Sequence, residues 1–127
     1  MSASLAVQRL VRAALAGVGG VTGVFDGPPP GQAAPYLVIG PDILGDWSSK
    51  TTTGHEHRIS VSVWDAGPGA ARAKALAGGV ETALRGLAGE ADGHRVVSSR
   101  FVRALTLTDA DGWTQGLVDF RVRTVEI

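Results

Sequence analysis

Apolar residues near the start of the chain recur at helical spacing: Val7, Leu10, Val11, Ala14 and Val18, with Gln8, Arg9 and Arg12 on the opposite side. The pattern predicts a helix with Ser4 as N-cap, running to about Gly17, where Gly17, Gly19 and Gly20 end it. Val21 to Phe25 is short and β-branched enough for a strand. The connector Asp26 to Pro35 follows, and its three successive prolines predict a stiff spacer near polyproline II geometry. Tyr36 to Ile39 reads as an apolar strand that Gly40 and Pro41 bring to a close. From Asp42 to Gly54 the chain is polar, small and without period, which predicts a long loop or arm carrying Trp47.

Period two then takes over. His55 to Asp65 alternates, with Ile59, Val61 and Val63 on one side and Arg58, Ser60, Ser62 and Trp64 on the other, as a half-buried strand requires. Gly67 to Leu87 returns to helical period, placing Ala73, Leu76, Ala77, Val80, Leu84 and Leu87 on one face and Lys74, Glu81 and Arg85 towards solvent. Gly78 and Gly79 inside that helix each cost about 1 kcal/mol relative to alanine, and close packing is the expected compensation. Two long strand patterns, Arg95 to Leu107 and Trp113 to Glu126, flank the hairpin sequence TDADG. In the last strand Val118, Phe120 and Val122 point inward, and Asp119, Arg121 and Arg123 point outward. The order predicts an α+β fold: a mainly antiparallel sheet, two helices on one face, and a loop arm.

Composition narrows the function. At 127 residues the chain suits a single domain, residues 1–127, and 44% hydrophobic residues are enough to fill its core. Twelve basic residues balance twelve acidic ones, which opposes nucleic-acid binding by bulk counterion release. The absence of cysteine removes disulfides, thiolate metal sites and cysteine nucleophiles. No stretch approaches the roughly 20 apolar residues of a membrane span, so no membrane partner is expected.

Candidate chemistry is sparse. His55 and His57 lie two apart in a strand, and Asp65 or His94 is available as a third ligand for zinc in a small metal-dependent hydrolase. The simpler reading is a pair of histidines bonded to backbone or loop, with no metal and no cofactor. Ser48, Ser49, Ser98 and Ser99 lie in no GxSxG turn, and the glycines before Lys74 lack the phosphate-loop pattern. Asp109 and Asp111 have no distant acid to complete a calcium loop, so they read as hairpin residues. What remains is surface: Asp46, Trp47, Lys50 and Thr51 in the arm, and Arg100, Arg103, Asp119, Arg121 and Arg123 on the outer side of the last strands. Aromatic and arginine side chains in such positions are typical interface residues.

The segments PPPGQAAPYLVIG from Pro28, DWSSKTTTGHEHRISVSVWD from Asp46 and GHRVVSSRFVRALTLTDADGWTQGLVDFRVR from Gly93 resemble the short tail-completion family of siphophages and gene transfer agents. The resemblance rests most on Pro35 with Tyr36, on Gly54, Glu56 and His57, on Val63 with Trp64, and on Gly93 to Arg95. It implies a non-enzymatic tail terminator. Such a protein forms a hexameric ring on the tail tube, stops its growth, and meets the tube protein on one side and a head-side connector on the other. The ring passes DNA without specific binding and acts inside the particle at the head-tail junction. A connector protein of the same particle is the neighbouring expectation.

Overall fold

The computed structural model describes residues 2–27 and 29–127. The first helix, α1 (Ala3–Leu15), starts two residues earlier than Ser4 predicts, because the Ser2 hydroxyl accepts the Leu5 amide at 3.1 Å. Ser4 is thereby free to donate to the Asp42 carboxylate at 2.8 Å, tying the helix to the sheet. α1 buries Ala3, Ala6, Val7, Val11 and Leu15. The strand expected over Val21 to Phe25 shrinks to β1 (Val24–Phe25), since Thr22 turns its amide to the Pro35 carbonyl and its hydroxyl to that of Ala33. The stiff-spacer reading of the prolines includes Pro28, which lies outside the described residues.

β2 (Tyr36–Asp46) does not stop at Gly40 and Pro41. The pair forms a bulge, with Gly40 at φ +124° and Pro41 lacking an amide donor, and the register with the next strand shifts between Ile39 and Asp42. The first half of β2 is buried and its second half is exposed. The arm is accordingly shorter than its sequence suggests: Asp42–Asp46 is strand, and only residues 47–53 form the connection to β3 (Gly54–Asp65).

The second helix, α2 (Ala71–Arg85), begins later than Gly67, because Gly67 and Gly69 hold φ values of +90° and +71° that no helix accommodates. The expected tight packing of its glycines is absent: a Cβ on Gly78 would meet open space, and one on Gly79 only the Val18 side chain at 3.6 Å. Helix and sheet approach closely elsewhere, at Gly116, where a Cβ would stand 3.3 Å from the Ala73 carbonyl. β4 (Glu90–Ala91), β5 (His94–Thr108) and β6 (Thr114–Glu126) complete the chain. Asp109 accepts the Asp111 and Trp113 amides at 2.9 Å each and shapes the β5–β6 turn, as an aspartate before a hairpin glycine should.

The sheet order is β1-β2-β3-β6-β5-β4, antiparallel except for the β1–β2 pair. Both helices contribute to one core with Leu37, Ile39, Ile59, Val61, Val63, Val118, Phe120 and Val122 of the sheet. Phe120 is fully buried and meets Phe101 edge-on at 5.8 Å. The architecture is the expected α+β, and the alternations of β3 and β6 fall as their period requires. The helices take one face of the sheet; the other carries Glu56, Arg58, Ser60, Asp119, Arg121 and Arg123.

Candidate functional site

The face opposite the helices is assembled by strand register. β3 and β6 pair over their whole length, setting Glu56 opposite Arg123, Arg58 opposite Arg121 and Ser60 opposite Asp119. β5 extends these rows, with Arg100 opposite Arg121 and Arg103 opposite Asp119. Period two therefore gathers charged residues from distant parts of the chain onto one surface.

Two ionic groups result. In the first, the Arg103 Nε donates to one Asp119 oxygen at 2.8 Å while the Ser60 hydroxyl donates to the other at 2.6 Å. In the second, the Arg123 Nε donates to Glu56 at 3.1 Å, and the Arg121 Nε stands 3.8 Å from the same carboxylate without a hydrogen bond. The Arg123 guanidinium also lies over the Trp47 ring, 5.1 Å from its centroid. Trp47 is thus held at the arm base with 37% of its surface exposed. Between the two groups Arg58, Arg121 and Arg100 form a row of like charges. A groove of about 510 Å³ lies alongside, lined by Pro41, Ile43, Arg58, Ser60, Val102 and Arg103 among others.

The arm is internally bonded. Ser48 donates to the Asp46 carboxylate at 2.6 Å, which lowers the acid's pKa below its ordinary value, and Ser48 also accepts the Gly54 amide at 3.0 Å. The Ser49 amide donates to the Thr52 carbonyl at 2.9 Å and closes the tip, leaving Lys50 and Thr51 exposed. At Gly54 a Cβ would collide with the Trp47 carbonyl, so the two sides of the arm approach this closely only because the residue is glycine.

The predicted surface residues therefore fall into three places. Trp47, Arg121 and Arg123 come together, Arg103 and Asp119 form a pair beside Arg100, and Asp46, Lys50 and Thr51 belong to the arm. Sequence reasoning did not place Glu56 and Ser60 among the interface residues, although Glu56 is one of those that carry the family resemblance; both hold these groups in place. Their period-two spacing with Arg58 is the signal that was available.

On the helical side, His57 is 1% exposed and its Nε2 meets the Thr124 hydroxyl at 2.9 Å. Burial, reinforced by His55 and opposed by Asp42, depresses its pKa to about 4, so it is neutral at physiological pH. The His55 ring lies 6.3 Å from that of His57 and 6.1 Å from that of His94. Asp65 stands at the other end of β3 and receives two hydrogen bonds from Arg72, at 3.0 and 2.5 Å, which hold its carboxyl below the usual range. His55, His57 and Asp65 are not brought together. Among the described residues no group of His, Asp or Glu side chains is arranged to hold a metal ion, and no helix is long and apolar enough to cross a membrane.

A small α+β subunit with one face sealed by helices and the other carrying ion pairs, arginines and a tryptophan arm has the character of an assembly protein. The profile of the tail completion protein gp17 family matches residues 3–125, and the chain belongs to that family. A solved chain from the virion of a native gene transfer agent particle is similar at 34% identity, with 98% of this chain and 95% of that one covered and a TM-score of 0.80. A comparison with curated proteins finds no match. The protein is a structural tail component.

Proposed function

We propose that the protein is a tail terminator, which forms a hexameric ring on the end of the tail tube, stops its polymerisation and presents its far side to a head-side connector. The observation that carries this reading is the match along nearly the whole chain to a tail completion family and to a chain of a gene transfer agent virion. The subunit suits the role. Its two ends differ: one carries Trp47, Arg123 and the arm, the other the aromatic group of Tyr36 and Trp113, whose rings lie 6.3 Å apart. A head-to-tail contact repeated by rotation builds a ring with two unlike faces, as a junction between tube and connector requires. Balanced charge suits a passage that DNA must traverse without being retained.

In this reading Trp47, Lys50 and Thr51 dock on the tube or a neighbouring subunit. The experiment is electron microscopy of particles made without the protein. Overlong tails without heads are expected. Tails of normal length with unjoined heads would transfer the role to a connector protein.

A further inference from the structure

Among the described residues, both margins of the sheet are unpaired over most of their length. β1 covers β2 only at Leu37 and Val38, leaving Gly40 to Asp46 without an outer neighbour. β4 covers β5 only at His94 and Arg95, leaving Arg100 to Thr108 equally open. An exposed edge of this length is a template for another strand, and apolar side chains on it promote the pairing. Here Ile43 is 70% and Leu107 51% exposed, and Leu44, Val102 and Leu105 are exposed beside them.

The two margins are complementary in charge. The open part of β5 carries Arg100 and Arg103 with no acid, whereas the open part of β2 carries Asp42 and Asp46 with no base. The arginines at 100 and 103 share the open face and the aspartates share the helical face, so the attraction is between edges as wholes, not between facing pairs. Pairing β5 with β5 or β2 with β2 across a two-fold axis would instead oppose like charges.

Strand direction adds a second argument. The β2–β3, β3–β6 and β6–β5 pairs are all antiparallel, so β2 and β5 run in opposite senses within one subunit. Rotation about a ring axis preserves each strand's sense along that axis, so β5 of one copy meets β2 of the next antiparallel.

We infer that a second copy of this chain occupies each margin: the open part of β5 pairs with the open part of β2 of its neighbour, continuing one sheet from subunit to subunit. The seven residues from Gly40 to Asp46 offer roughly 23 Å of strand for the contact. The inference rests on the ring reading and specifies which surfaces close the ring.

The chain contains no cysteine, so the contact is testable by disulfide trapping. Ile43→Cys is combined with Leu105→Cys in one variant and with Leu107→Cys in another, since all three side chains lie on the open face. Antiparallel neighbours have Cα separations of about 4.5 to 5.5 Å, within disulfide range. Particles carrying each variant are purified, oxidised and run without reductant. A reducible ladder of multimers is expected from at least one double variant, with each single variant monomeric.

Disulfide dimers from the single variants would overturn the head-to-tail pairing. So would the absence of cross-links in both double variants when mass measurement shows several copies per tail end, a result that leaves the ring standing. One copy per tail end would remove the ring itself. Hydrogen exchange on the unsubstituted protein supplies a reading independent of the cysteines. Amides in 43–46 and 102–107 are expected to slow about tenfold or more in the particle relative to the dilute chain, and unchanged exchange in both segments would overturn the pairing.

Discussion

His57 makes acid sensitivity a quantitative test of the packing between α1 and the sheet. An unfolded chain takes up a proton on this imidazole near pH 6.5, whereas the folded chain, with the ring buried against Thr124, does so only at about pH 4. The folded pKa is the lower one, so the unfolded state binds more protons across that interval and stability falls as pH drops from about 6.5 towards 4. The two pKa values give a loss of at most about 2 kcal/mol between pH 7.5 and pH 5. His57→Gln keeps a side chain able to bond Thr124 but cannot titrate.

Urea unfolding at both pH values, for the protein and the variant, isolates the contribution: the variant is expected to lose less stability on acidification, by up to that amount. His55 and His94, whose rings flank the same site, are present in both proteins and cancel in the comparison. An identical pH slope in the two proteins, or an NMR titration of His57 centred near 6.5, would refute the argument that burial keeps this ring neutral.

Gly78→Ala is expected to raise stability by about 1 kcal/mol, because the added methyl meets no neighbour and the helix interior gains propensity; thermal or urea unfolding checks this, and destabilisation would contradict it. Gly54→Ala is expected to lower stability by about 1 to 3 kcal/mol, since the new methyl collides with the Trp47 carbonyl and crowds the Thr124 carbonyl, neither of which is a flexible side-chain end. Its far-ultraviolet spectrum should remain that of the parent while urea unfolding shifts to lower concentration. Trp47→Ala is expected to leave folding intact, because the ring is partly exposed, but to reduce the fraction of tails of normal length seen by electron microscopy.

The parts of this fold that are visible in the sequence are those with one buried face and one wet face. β3 and β6 alternate because every second residue meets the core, and α1 shows its apolar stripe for the same reason. β2 beyond Pro41 carries no such record: its second half is exposed on both sides of the strand, so Asp42 to Asp46 has no buried period to display and reads as loop. β1 and β4 are two residues each, too short for any period. At the candidate site, residue type was readable and contact was not. Trp47 and Arg123 stand out as interface residues, but their stacking depends on β3 pairing with β6, a register that joins segments far apart in sequence. His94 is likewise carried to His55 by β5–β6 pairing, beyond the reach of any local spacing rule.

The helices cover one side of the sheet alone, and this divides the molecule into territories where substitutions have different consequences. Substitutions beneath α1 and α2 act on whether the subunit folds, where a single lost side chain such as Phe120 removes several kcal/mol. Substitutions among the outward residues of β3, β5 and β6 mostly shift stability by less than about 0.5 kcal/mol. A lineage of such proteins can therefore rewrite its outward surface to follow changing neighbours while the architecture beneath stays the same.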